Sequence, residues 1–119
     1  MIIMKKILLV LMAVGIVSGM VSSSSFGAET AKPLIIDVRT EAEWKSGHIE
    51  GAVLIPYDLI GDRIGAVARD KSGRIYLYCR SGRRSQIAKE TLEKLGYKDV
   101  VNLGALEDAA KAMKLKIIR

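Results

Sequence analysis

The chain has 119 residues, of which 50% are hydrophobic, and a formal net charge of +6 at pH 7. This length allows one compact domain with a modest core, which excludes a two-domain enzyme, a repeat array and a multi-span membrane protein. Residues 1–27 contain Lys5 and Lys6, no acidic residue and four of the five methionines. The other 92 residues have 17 Lys and Arg against 13 Asp and Glu, the composition of an ordinary soluble domain.

The first 27 residues predict an export signal. Lys5 and Lys6 form a short positive segment, an apolar run follows over 7–21, and residues 22–25 are serines. This order is typical of a secretory signal peptide. The apolar run has 15 residues, fewer than the roughly 20 that cross a bilayer as a helix. We expect cleavage near Gly27 and one mature domain over 28–119 that is exported to the periplasm, with a membrane anchor as the alternative.

Strands and helices alternate along the mature chain. Apolar runs predict four strands, over residues 34–38, 52–55, 74–78 and 100–103. A capping box between Thr40 and Glu43 starts a short helix that ends at Gly47, and Trp44 is expected in the core. Helical spacing predicts three more helices, over 59–67, 85–95 and 106–113. This alternation through short connections predicts the α/β class, with parallel strands joined by right-handed crossovers.

The third helix is expected to be amphipathic. Its apolar face contains Ile87, Ala88, Thr91, Leu92 and Leu95, and its other face contains charged residues.

The single cysteine, Cys79, lies at the end of the third predicted strand. Exported proteins meet an oxidising compartment, where paired cysteines form disulfides, but this thiol has no partner in its own chain. Cys79 is therefore either an inert buried thiol or one kept for its chemistry. Ligands of open parallel sheets bind at the carboxyl ends of central strands, where the winding direction reverses, and this favours the second interpretation.

The loop after Cys79 has the composition of an anion site, and it leads directly into the third helix. A helix N-terminus and nearby cations stabilise a thiolate, so we expect a lowered Cys79 pKa. Gly82 permits a backbone conformation that turns successive N–H groups onto an anion. Arg84 is expected to direct its guanidinium towards a bound oxyanion. The candidate substrate-binding residues are Arg80, Ser81, Gly82, Arg83 and Arg84.

Two motifs resemble those of rhodanese-type sulfurtransferases. The segment Cys79-x-x-Gly82-x-Arg84-Ser85 is similar to the active-site loop of that family. The family's other signature is matched by Asp37-Val38-Arg39, Glu43-Trp44, Gly47-His48-Ile49, Gly51-Ala52 and Pro56. The resemblance covers about residues 33–107 and is strongest to the short, periplasmic phage-shock type of single-domain rhodanese. It implies a small rhodanese-like, doubly wound sheet of about four parallel strands with helices on both faces.

The resemblance also implies a thiosulfate sulfurtransferase. The catalytic Cys79 thiolate would take sulfane sulfur from a small anionic donor such as thiosulfate, hold it as a persulfide, and pass it to cyanide or another thiophilic acceptor. Asp37 and Arg39 flank the end of the first strand, where we expect a buried mutual or loop-bracing interaction rather than contact with the substrate. His48 lies in a turn, where we expect a hydrogen-bonded structural role.

Two other functions remain open at this stage. A non-catalytic persulfide carrier that delivers sulfur to a partner protein needs the same loop. A phosphatase or arsenate reductase also places a cysteine before an anion-binding loop, but with five residues between Cys and Arg. Cys79 and Arg84 are separated by four residues, which argues against the second alternative.

The sequence implies no cofactor and no metal, because it has no glycine-rich nucleotide loop and no residues with metal-ligand spacing. Nucleic acid is not an expected partner either, since the chain lacks an aromatic stacking platform. The basic end, expected to be solvated, contains Lys111, Lys114, Lys116 and Arg119. We expect the mature domain to be a monomer.

Overall fold

A computed structural model describes residues 32–119, so the predicted signal peptide over 1–27 lies outside the described residues. The strands in this range are β1 (Leu34–Asp37), β2 (His48–Ile49), β3 (Val53–Leu54), β4 (Ile75–Cys79), β5 (Val100–Ala105) and β6 (Ile117–Ile118). The helices are α1 (Glu41–Ser46), α2 (Ile60–Val67), α3 (Arg83–Lys94) and α4 (Leu106–Met113). None of these helices is long and apolar enough to span a membrane.

Four strands form a parallel sheet in the order β3-β1-β4-β5. The chain passes from β1 to β3 at one edge, then crosses to β4 and β5 on the other side, so the winding direction reverses between β1 and β4. Asp37 pairs with Tyr78 there, which places the carboxyl ends of these two strands side by side. The predicted four-stranded parallel sheet is confirmed, and Cys79 lies at the switch point where such sheets bind ligands.

Each face of the sheet has its own core. Alternate β4 residues, Ile75 and Leu77 among them, pack with α2 and α3 on one face. Tyr78 points to the opposite face, where it packs with α4. This alternation follows from the period of two along a strand. Helices therefore cover both faces, as the sequence predicts.

An extra residue in β5 shapes the edge of the sheet near Cys79. Leu77 pairs with Asn102, whereas Cys79 pairs with Ala105, so β5 forms a bulge against β4. Gly104 lies in this bulge with a φ of +87°, a conformation that favours glycine. The bulge extends β5 beyond its predicted end at residue 103.

The sequence does not predict the antiparallel pair of β2 and β6, in which His48 pairs with Ile118 and Ile49 with Ile117. Strands of two residues are too short to show a period. Ile117 packs against the core under α4, so the chain end is attached there. The four charged residues of the basic end are exposed, in agreement with the expectation.

Trp44 is not a core residue, contrary to the prediction. It is half-buried, and α1 has no buried residue. The Trp44 ring stacks on His48 with centroids 3.5 Å apart and an interplanar angle of 6°. His48 Nδ1 also lies 2.9 Å from the Trp44 carbonyl oxygen, which supports its expected structural role. Trp44 therefore packs against the turn that follows its own helix rather than in the core.

The predicted apolar face of α3 is partly wrong. The helix begins at Arg83, two residues before its predicted start, and its buried residues are Ser85, Ala88 and Leu92. Ile87 and Leu95 are 37% and 40% exposed. The buried stripe therefore includes a polar residue, Ser85, that no hydrophobic pattern identifies.

We predict different costs for shortening two leucines near the end of α3. Leu92 is fully buried, so Leu92→Ala should lower the free energy of unfolding by about 2–5 kcal/mol. Leu95→Ala removes the same atoms at an exposed position and should cost less than half as much. Chemical denaturation of both variants measures the difference, and equal losses would contradict the assigned face.

Candidate active site

Cys79 is fully buried at the end of β4, and its sulfur faces the loop that follows. The Gly82 N–H donates a hydrogen bond of 2.9 Å to Cys79 Sγ. This contact requires the chain to reverse within three residues. Gly82 adopts a left-handed conformation with φ +98° immediately before α3, which explains glycine at this position.

The surroundings of the thiol favour its ionised form. Burial raises the Cys79 pKa, but hydrogen bonds from the Ser85 hydroxyl and from the backbone N–H groups of Ser85, Ser81 and Gly82 lower it, and the net pKa is below the ordinary value. The direction agrees with the sequence prediction. The largest lowering contributions come from the loop's own hydrogen-bond donors.

Ser85 and Asn102 hold the Cys79 loop through hydrogen bonds, a role that the sequence patterns predict for neither residue. Ser85 Oγ lies 2.6 Å from Asn102 Oδ1 and 3.4 Å from Cys79 Sγ. The Asn102 amide donates to the Gly82 carbonyl at 3.0 Å, and its Oδ1 accepts from the Gly104 N–H at 2.9 Å. The β5 bulge therefore holds Asn102 where it connects the strand to the loop. The Ser85 position in the loop motif was the only signal for this network.

The Ser85 hydroxyl has one proton and three neighbouring acceptors, namely Asn102 Oδ1, the Gly82 carbonyl oxygen at 3.1 Å and Cys79 Sγ. Asn102 Oδ1 is fixed as an acceptor by the Gly104 N–H, so Ser85 donates to it while the Cys79 thiol is protonated. The thiol can then donate to Ser85 Oγ. Once Cys79 is ionised, rotation of the hydroxyl can direct the same proton to the thiolate.

Arg84 does not point freely into the loop, contrary to the expected orientation. Its Nη1 and Nη2 donate to the two carboxylate oxygens of Glu43, at 2.8 and 2.9 Å. The hydrogen bond with Glu43 raises the Arg84 pKa, and attraction to Cys79 adds to the effect. Arg84 therefore still contributes positive charge near the sulfur, while its guanidinium is held by α1.

Glu43 has a second role in the capping box of α1. Its Oε1 accepts from the Thr40 backbone N–H and hydroxyl, both at 3.1 Å, and the Thr40 hydroxyl accepts from the Glu43 N–H. The hydrogen bond from Arg84 lowers the Glu43 pKa to about 2. The predicted capping box is confirmed, and it also orients the carboxylate that holds Arg84.

The other predicted substrate-binding side chains are more open. Arg80, Ser81 and Arg83 are exposed. The loop therefore presents two long cationic side chains to solvent around the buried Cys79 sulfur. Among residues 32–119, no three metal-ligating side chains are grouped together.

Asp37 and Arg39 form a buried pair beside the loop. Arg39 Nε and Nη2 donate to the Asp37 carboxylate, with a shortest contact of 2.7 Å, and Nη2 also donates to the Gly47 carbonyl at 2.6 Å. The side chain of Asp37 is 0% exposed and that of Arg39 is 6% exposed. The mutual interaction expected from the sequence is present, and it connects β1 to the end of α1.

The profile of the family described as "Rhodanese-like domain" matches residues 25–109. The chain belongs to this family. This rhodanese domain is 40% identical to the thiosulfate sulfurtransferase PspE of Escherichia coli K12 over 75 residues, 63% of this chain and 72% of that protein. It is 39% identical to the putative sulfur carrier protein YrkF of Bacillus subtilis over 69 residues, 58% of this chain and 36% of YrkF.

A solved structure described as "rhodanese with anions from E. coli" has the same fold. Its TM-score with this rhodanese domain is 0.68 at 34% sequence identity, over 74% of this chain and 99% of that one. This similarity confirms the predicted rhodanese-like α/β architecture.

We predict that Ser85→Ala raises the Cys79 pKa of the rhodanese domain, because it removes a side-chain donor from the thiolate. The ultraviolet absorbance of the thiolate against pH measures the midpoint. Ser81→Ala is the matched control, since Ser81 acts on the sulfur through its backbone N–H and should keep the midpoint. An unchanged midpoint in Ser85→Ala would mean that the hydroxyl does not turn to the thiolate but keeps its hydrogen bond to Asn102 or to the Gly82 carbonyl.

We also predict that Glu43→Gln lowers the stability of the rhodanese domain by about 1 kcal/mol at neutral pH. The Glu43 pKa in the folded state is lowered to about 2. The stabilisation from its ionised carboxylate is therefore complete above the ordinary glutamate pKa of about 4.3. It is lost as the pH falls from there, because the unfolded chain takes up the proton first. The free energies of unfolding of Glu43→Gln and of the unmodified protein should converge as the pH is lowered from neutral to acidic.

Glu41→Gln is the control for this experiment. Glu41 lies in the same helical turn, is 73% exposed and, among residues 32–119, forms an ion pair with Lys45 alone, so its replacement should have little effect. If the free energies of unfolding of Glu43→Gln and of the unmodified protein differed by the same amount at every pH, the charge of Glu43 would not be the source of its stabilising effect.

Proposed function

We propose that this rhodanese domain is a thiosulfate sulfurtransferase that carries sulfane sulfur on Cys79. The observation that carries the proposal is the buried Cys79 sulfur, whose pKa is lowered by the hydrogen-bond donors of its own loop. A thiolate is the nucleophilic form of cysteine. The similarity to PspE, a protein named for thiosulfate sulfurtransferase activity, supports thiosulfate as the donor.

In the first step, the Cys79 thiolate attacks the outer sulfur of thiosulfate. A sulfur–sulfur bond forms to Cys79, the sulfur–sulfur bond of thiosulfate breaks, and sulfite leaves with the electron pair. The attacking species is the thiolate, whose formation is favoured by the hydrogen-bond donors of the loop. The product is a Cys79 persulfide.

The loop stabilises negative charge during this step. The backbone N–H groups of Ser81, Gly82 and Ser85 that favour the thiolate are also available to the persulfide. Arg80 and Arg83, exposed on the loop, attract the dianionic donor, and Arg84 adds positive charge near the sulfur. In the second step, cyanide or another thiophile attacks the outer persulfide sulfur, and Cys79 leaves as a thiolate.

The similarity to the putative sulfur carrier YrkF favours a second candidate function, a carrier that holds the persulfide and passes it to a partner protein. Both functions need the same loop. Steady release of sulfite with thiosulfate and cyanide supports the enzyme. A single stoichiometric loading without turnover would support the carrier.

We further propose that residues 1–27 direct export and that the mature domain acts in the periplasm. The proposal rests on Lys5 and Lys6 followed by the apolar run over 7–21. N-terminal sequencing of the exported protein tests it, because an intact Met1 in the membrane fraction would indicate an anchor instead.

We predict that Cys79→Ser abolishes both sulfite release and persulfide formation, because a hydroxyl is neither ionised nor thiophilic at neutral pH. Intact-protein mass spectrometry after thiosulfate treatment should show the gain of one sulfur atom in the unmodified protein alone. Aryl phosphate hydrolysis is the control reaction. Efficient hydrolysis without any response to thiosulfate would instead indicate a phosphatase.

A further inference from the structure

A polar cleft lies beside the Cys79 loop. Its volume is about 380 Å³, at the lower end of the roughly 300–1,000 Å³ typical of small-molecule sites. The lining comes from the connection between β1 and α1, from α1, from the loop and from the start of α4. It consists of Arg39, Glu43, Ser46, Arg80, Leu106 and Glu107. Because Arg80 directly follows Cys79 in the chain, the cleft adjoins the loop that holds the sulfur.

Arg39 has unused hydrogen-bond donors in this cleft. Its Nε and both donors of Nη2 are used by Asp37 and the Gly47 carbonyl. The Nη1 group donates to no acceptor within residues 32–119, although the side chain is only 6% exposed and lines the cleft. A guanidinium has five N–H donors, so two of them remain for a ligand. Each of these two N–H groups can donate to an oxygen of an anionic ligand such as a carboxylate.

Within residues 32–119, two of the four charged residues that line the cleft are in ion pairs, and the other two are not. Asp37 neutralises Arg39, and Arg84 neutralises Glu43. Arg80 and Glu107 are exposed and form no ion pair in the described part of the chain. The cleft therefore offers one free positive and one free negative charge. A ligand with both a carboxylate and an ammonium group matches this arrangement better than a simple anion.

We propose that this cleft binds the sulfur acceptor, and that the acceptor is a small thiol with an α-amino acid group, of which cysteine is the simplest. Its carboxylate binds Arg39 Nη1 and Arg80, and its ammonium group binds Glu107. The proposal rests on the proposed sulfurtransferase function and names the substrate class of the second step.

The transfer needs no oxidant or reductant. The acceptor thiol loses its proton to solvent, and its thiolate attacks the outer sulfur of the Cys79 persulfide. A new sulfur–sulfur bond forms on the acceptor, the sulfur–sulfur bond to Cys79 breaks, and the electron pair returns to Cys79 as the thiolate. The product is the acceptor persulfide.

Three thiols test the proposal on the full mature protein loaded with thiosulfate. Cysteine carries both charged groups, cysteamine lacks the carboxylate, and N-acetylcysteine lacks the ammonium group. The loss of the protein persulfide, followed by mass spectrometry and expressed per thiolate concentration, should be about tenfold more efficient for cysteine than for cysteamine. N-acetylcysteine should be slower than cysteine by about two- to fivefold. Equal efficiency of the three thiols would overturn the proposal.

Two exposed variants locate the effect in the cleft. Glu107→Gln should lower the efficiency of cysteine and cysteamine about two- to fivefold and leave N-acetylcysteine unchanged. Arg80→Gln should lower the efficiency of cysteine and N-acetylcysteine, the two thiols with a carboxylate, and leave that of cysteamine unchanged. Asp108→Asn is the matched control, because Asp108 is also exposed in the first turn of α4 but does not line the cleft. Selectivity for cysteine that neither variant changes would also overturn the assignment.

The design separates this proposal from the proposed function. If thiosulfate adds no sulfur to Cys79, the sulfurtransferase function fails. If the persulfide forms but the three thiols remove it equally well, only the acceptor site fails. Glu107→Gln should take up sulfur from thiosulfate like the unmodified protein, which shows that it is folded. Arg80→Gln loses a cation that attracts thiosulfate and should load more slowly, so it is loaded to completion, checked by mass spectrometry, before the thiol is added.

Discussion

The hydrogen bond from the Gly82 N–H to Cys79 Sγ forms because the chain adopts a positive φ at Gly82. That single turn sets the start of α3 and brings the Ser85 N–H towards the sulfur. It also presents the Gly82 carbonyl to Asn102 on β5. The low thiol pKa, the connection between loop and sheet, and the position of Ser85 all depend on this conformation. A residue with a Cβ would be strained there.

The sheet provides the place where this turn can act. β1 and β4 are neighbours whose connections leave in opposite directions, so a gap opens at their carboxyl ends. Asp37 and Arg39 occupy one side of the gap, and the Cys79 loop occupies the other. A buried ion pair is weak evidence for stability, because desolvation offsets much of its attraction. The Asp37–Arg39 pair is better understood as a support that leaves Arg39 Nη1 available in the cleft.

Charge at the site is controlled by pairing. Glu43 completes a capping box at the start of α1 and holds Arg84 at the start of α3, so one carboxylate organises two helix ends. The Glu43–Arg84 pair keeps a cation near the sulfur without leaving its full charge open to solvent. The remaining charges at the cleft, on Arg80 and Glu107, differ in sign. The site is thus less cationic than its three loop arginines alone would suggest.

The sequence by itself determined the α/β class, the order of the main strands and helices, the capping box and the position of Cys79 at a strand end. These features depend on residues that are close in the chain, where periodicity, capping and turn chemistry are visible. Only the tertiary structure decided that Arg84 binds Glu43, 41 residues away, and that Asn102 supports the loop. It also decided which face of α3 is buried and that β2 pairs with β6. Such contacts depend on how the elements pack, because a charged or amide side chain takes whichever partner the fold brings within reach.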